Sequence, residues 1–118
     1  MRAVDPLRLQ AAYYLVSGIW PIVHLRSFMA LTGPKRDTWL VQTFGALVAA
    51  LGSALLASTR SPERVAATRV GVASALALAA ADTVFVARRR IRPVYLLDAL
   101  AELWLVAGLV RRGPAARR

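Results

Sequence analysis

Between Trp39 and Thr59 the chain carries no charged residue, and this interval constrains the fold more than any other stretch. An uncharged apolar run of ~18 residues or more is long enough to cross the hydrocarbon of a bilayer as a helix. The soluble alternative is an Ala-rich bundle with this helix buried at its centre. A helix that is apolar all round needs neighbours on every side, and a chain of 118 residues has few to offer. The expected fold class is therefore all-α: an integral membrane antiparallel four-helix bundle, with residues 1–118 as a single transmembrane domain.

The composition agrees with this reading. Hydrophobic residues make up 58% of the chain, mostly Ala, Leu and Val, and aromatic residues only 8%. The net charge of +10 comes from 16 basic residues, and they sit at the ends of the apolar runs. Arginines so placed snorkel to the interface and meet lipid phosphates, each worth ~1 kcal/mol near an anionic leaflet. Membrane lipids are thus the expected partners. Nucleic acid is not, because no basic face is interleaved with aromatic side chains. The absence of cysteine excludes disulfides, thiol catalysis and Cys-based metal sites.

Start and stop signals place four helices at about residues 6–24, 39–57, 62–87 and 93–110. Asp5-Pro6 reads as an N-cap followed by Pro at the first helical position. Pro21 predicts a kink after Gly18 that turns Val23 to Arg26 off the axis. A secretory signal is the alternative for this first segment, but bulky Trp20-Pro21 and the lack of a small-x-small cleavage site speak against it. Leu25 to Leu31 reads as an interfacial turn of helix, and Thr32-Gly33-Pro34-Lys35 as a turn. Asp37 or Thr38 can cap the second helix, and Ser61-Pro62-Glu63 can start the third. Gly45, Ala49, Ser53 and Ala57 form one ladder of small residues, and Gly71, Ala75, Ala79 and Thr83 another. The pair predicts close packing of the second helix on the third, although such faces equally serve a homodimer or a larger membrane complex. Basic residues are nearly balanced between the two ends of the bundle, so the positive-inside rule leaves orientation open and leans only towards cytoplasmic termini.

The polar constellation lies around the stretch from Arg88 to Glu102, RRRIRPVYLLDALAE. Arg88, Arg89, Arg90 and Arg92 are expected at lipid headgroups. In an antiparallel hairpin Asp82 and Asp98 lie equally far from this cluster, at a depth of roughly 9 Å, with Glu102 roughly 6 Å deeper on the face of Asp98. Tyr95 falls on the same stripe. Helix one ends on that side with His24 and Arg26, and helix two begins there with Gln42, so these groups are expected to converge on one polar site. A carboxylate at the centre of a span costs about 2.5 to 3.5 kcal/mol, so the acids must face the interior and either pair with Arg26, His24 or the arginine cluster, or hold a proton. A simpler possibility is that Asp82 and Asp98 pair with interfacial arginines and lock the last hairpin. No metal site and no cofactor is expected: a ligand set of Asp82, Asp98, Glu102 and His24 lacks a tight metal-binding motif, and Thr32-Gly33-Pro34-Lys35 lacks the Gly-rich run that wraps a phosphate.

The segments GIWPIVHLRSF, TGPKRDTWLV and RIRPVYLLDALAE resemble a group of small bacterial membrane proteins with four transmembrane helices and no known activity. The resemblance covers most of the chain and implies a multi-pass protein of the bacterial inner (plasma) membrane. In size the chain is also similar to the small multidrug resistance exporters. Those carry their essential acid on the first helix, where this chain has Tyr13, Tyr14 and Ser17. The functional expectation is a protein that binds or passes a small or lipidic ligand, or acts as an accessory subunit, through an acidic intramembrane site. The alternative is an intramembrane enzyme whose paired carboxylates act as general acid and base on a lipid-like substrate.

Overall fold

In the computed structural model, which describes residues 5–59 and 62–112, the ordered elements are all helices: α1 (Pro6–Val23), α2 (Leu25–Thr32), α3 (Thr38–Ala57), α4 (Arg64–Ala87) and α5 (Tyr95–Arg112). The helices α3 and α4 are each long and apolar enough to cross a membrane, and α1 with α2 pass the same test only as a bent pair. The expected Ser61 cap and residues 113–118 of the tail lie outside the described residues.

Asp5 caps α1 as its sequence suggests, its Oδ1 accepting from the Leu7 N–H at 3.1 Å. The kink expected after Gly18 does not form there. The helix runs through Pro21 and breaks at His24 (φ −148°, ψ 73°), where α2 departs at 112°. Two contacts explain the displacement. Pro21 fits over Gly45, where an added Cβ would stand 3.0 Å from Pro21 Cγ, and the Pro21 carbonyl accepts from Gln42 Nε2 at 3.1 Å. His24 then ends one helix and begins the next: its N–H donates to the Trp20 carbonyl, and its Nδ1 accepts from the Ser27 N–H. The interfacial turn expected at Leu25 to Leu31 is this separate helix.

The packing of α3 also departs from expectation. Its principal neighbour is α1, not α4; α4 packs mainly on α5, and α3 and α4 barely touch. At Gly18 an added Cβ would lie 2.5 Å from the Gly45 carbonyl oxygen and 2.6 Å from the Ala49 nitrogen, so the two backbones are in direct contact. The buried residues of α3 are Gly45, Gly52 and Leu55, while Ser53 and Ala57 of the anticipated ladder are exposed. The reason is helical geometry. Each four-residue step overshoots a turn by roughly 40°, so such a ladder winds away from a straight neighbour. Alternating steps of three and four stay on one face. On α4 the ladder holds through Gly71, Ala75 and Ala79 and then passes to Asp82 rather than Thr83.

The α4–α5 turn closes as a Schellman motif, with Arg90 N–H to the Phe85 carbonyl (2.8 Å) and Arg89 N–H to Val86 (3.0 Å). Arg89 takes the left-handed position (φ 59°) that glycine ordinarily fills. At the opposite end Arg64 holds Asp5 through both guanidinium nitrogens, at 2.6 and 2.9 Å. The helix α4 itself begins at Arg64, two residues after the expected Pro62 start.

Polarity runs inside out. Gln10 and Glu102 are 0% and 1% exposed, whereas Leu97, Leu100, Trp104 and Leu47 are each 64–66% exposed. Large exposed apolar surface of this kind needs a lipid or protein cover.

Candidate functional site

The buried stripe of α5 is Ala99, Glu102, Leu105 and Leu109, with Asp98 half-buried one turn before Glu102. The stripe of α4 ends on Asp82, 7% exposed. Antiparallel pairing of α4 and α5 places Asp82, Asp98 and Glu102 towards the turn that joins them. Asp82 Oδ2 is buried and has no hydrogen-bond partner.

The opposing wall is α1, which touches every other helix. Its buried stripe includes Gln10 and Tyr14. The Tyr13 hydroxyl donates to Asp98 Oδ1, and the Tyr14 hydroxyl donates to Glu102 Oε1 at 2.7 Å. Gln10 Nε2 donates to the Tyr14 hydroxyl (3.1 Å) and to the Gly71 carbonyl (2.8 Å), which fixes the orientation of the amide. Gly71 is required here, because a Cβ would collide with Gln10 Oε1.

Among the described residues no Lys, Arg or His forms a salt bridge with Asp82, Asp98 or Glu102. The arginine-locked hairpin is therefore not the arrangement found, and tyrosine hydroxyls take the place that cations were expected to fill. Nor do the other anticipated groups converge on the acids. His24 is exposed and bonded to Ser27. Gln42 caps the end of α1, and Arg26 is exposed on α2.

Tyr95 belongs to a separate cluster: the Lys35 ammonium lies 5.3 Å from its ring centroid and 6.0 Å from that of Phe28, and donates to the carbonyls of Thr32 and Gly33 at 3.0 Å. Arg88, Arg89, Arg90 and Arg92 are all exposed around the turn, and Arg92 Nη1 reaches the Ala30 carbonyl at 3.3 Å. Among the described residues no group of three His, Cys, Asp or Glu side chains is arranged to hold a metal ion.

No family model, curated protein or solved structure matches this chain. What the site does therefore rests on its own geometry.

Sequence reasoning found the carboxyls by counting outward from the arginine cluster, but it missed Gln10 as a member and used Tyr13 and Tyr14 only as a contrast with the exporters. A signal was present. Gln10, Tyr13, Tyr14 and Ser17 recur at three- and four-residue steps in an otherwise apolar helix, so a polar stripe faces inward.

Proposed function

We propose that the chain is a multi-pass protein of a bacterial inner membrane, of the small four-span kind that its three segments resemble. In this reading α1 and α5 span the bilayer beside α3 and α4. Its acidic site binds or passes a small or lipidic ligand, alone or as an accessory subunit. One observation carries the proposal: Glu102, Asp82 and Asp98 lie on faces turned into the bundle, and among the described residues no cation pairs with them. Buried acids that served structure alone would be expected to pair with a base, since unpaired intramembrane carboxyls are costly. The long axis of 46 Å suits a full bilayer of roughly 40–45 Å.

The test is native mass spectrometry of protein extracted gently from its own membrane. The wild type is expected to retain a discrete molecule that is absent from Glu102→Gln, while both forms accumulate and fold alike. Wild-type protein carrying nothing, or a cargo unchanged by the substitution, would sink the reading.

A further inference from the structure

We propose that the seam between α1, α4 and α5 is a proton path, completed by internal water, that joins the carboxyl cluster to the Asp5–Arg64 pair at the other end of the bundle. This rests on the membrane-site reading above and adds a proton route that ends at that site.

The first half of the path is hydrogen-bonded from Glu102 to Gln10. Asp82 and Asp98 lie towards the α4–α5 turn, Glu102 follows Asp98 by one turn of α5, Glu102 accepts from Tyr14, and Tyr14 accepts from Gln10 at the level of Gly71. The second half is marked by polar atoms without partners. Gln10 Oε1, Thr68 Oγ1 and Arg64 Nε are buried and unbonded, and with Asp82 Oδ2 they lie along this one seam. Thr68 is three residues before Gly71 and four after Arg64, hence on the same face of α4.

Its conformation is itself informative. Thr32, Thr43 and Thr83 each donate to the carbonyl four residues back, the usual resort of a threonine in an apolar helix, whereas the Thr68 hydroxyl does not. A buried polar atom left unbonded is costly, and water with two to four polar neighbours is the ordinary remedy. From Arg64 to Asp82 the helix rises roughly 27 Å, close to the thickness of a hydrocarbon core.

Burial suits a proton: Glu102 and Gln10 are 1% and 0% exposed, and a proton handed between hydrogen-bonded groups reaches Glu102 without the helices parting. Transfer leaves no net change in the chain: at each step an O–H bond forms on the acceptor as the O–H bond of the donor breaks. The hydroxyls of Tyr14 and Thr68 and the intervening water each take a proton on one lone pair and release another. Gln10 is a positioning residue; its amide holds the Tyr14 oxygen so that the hydroxyl proton faces Glu102. At the far end the bidentate Asp5 neutralises Arg64, whose charge would otherwise repel an incoming proton.

The experiment uses full-length protein in sealed vesicles that enclose a pH-sensitive dye, with a potassium diffusion potential set by valinomycin. The wild type is expected to move protons about tenfold faster than protein-free vesicles. Tyr14→Phe and Glu102→Gln should fall to the protein-free rate, and Thr43→Val, on an exposed face of α3, should keep the wild-type rate. Background flux from wild-type vesicles, or an undiminished rate in Tyr14→Phe, overturns the path.

X-ray hydroxyl-radical labelling of the wild type removes any dependence on how the variants fold. Leu109, whose Cδ1 lies beside Gly71, and Tyr14 should gain oxygen despite their burial, and the absence of label on both overturns the water-filled half. If wild-type flux is at background while Glu102→Gln still loses a co-purified molecule, the path is wrong and the site reading stands. If neither signal exists, both fall.

Discussion

Gly18 and Gly45 show how little room a single residue can leave. Their backbones meet at distances no Cβ tolerates, and the atoms in the way are a carbonyl oxygen and an amide nitrogen rather than yielding side chains. Gly45→Val should therefore force α1 and α3 apart and cost about 2 kcal/mol or more, read as a lower midpoint in detergent unfolding. Gly108→Ala is the control: its added Cβ would meet only Pro6, at 3.2 Å, and should change the midpoint little. At this scale the site was half legible. Asp82, Asp98 and Glu102 stand out because an acid in an apolar run has no inexpensive explanation, and the hairpin count sets two of them level. Tyr13 and Tyr14 do not stand out, because a tyrosine near a helix end is ordinarily an interfacial anchor. Only the periodic recurrence of Gln10 before them shows that they face inward.

Among the elements, the break between α1 and α2 is held by His24, whose side chain accepts from the Ser27 N–H and whose ring also contacts the Ser27 hydroxyl. His24→Ala removes that cap and should loosen α2 by ~1 kcal/mol. The expected readout is faster amide hydrogen exchange over residues 25–32 with no change in α4 or α5. The sequence placed the helices within a few residues because Asp5-Pro6, the turn at Thr32 to Lys35 and the arginine cluster are strong boundaries. It misplaced the bend: α1 stays helical through Pro21, and the chain turns sharply only at His24, where the backbone leaves helical geometry. Small-residue spacing showed that helices approach closely but not which pairs do so, since glycine and alanine permit contact without selecting a partner.

Across the whole molecule, α1–α3 and α4–α5 form two closely packed pairs, and the polar seam lies where α1 meets the second pair. Two acids in one span together cost about 5 to 7 kcal/mol at its centre, against a gain of about 0.3 to 0.6 for each Leu. In the proposed four-span arrangement α5 should insert poorly when placed alone in a membrane-insertion assay, and fully when it follows the other helices. Replacing Tyr13 and Tyr14 together with Phe should lower insertion of α5 within the full chain, and equal insertion in both contexts would contradict this. The hydroxyl donors sit on the first helix and the carboxyls on the fourth and fifth. Ribosomes make chains in one direction, so Tyr13 and Tyr14 have left the tunnel before Glu102 is joined to the chain. In the proposed four-span arrangement biogenesis would thus have a required order, the earliest helix staying beside the translocon as a template and the last one entering the bilayer only by finding it.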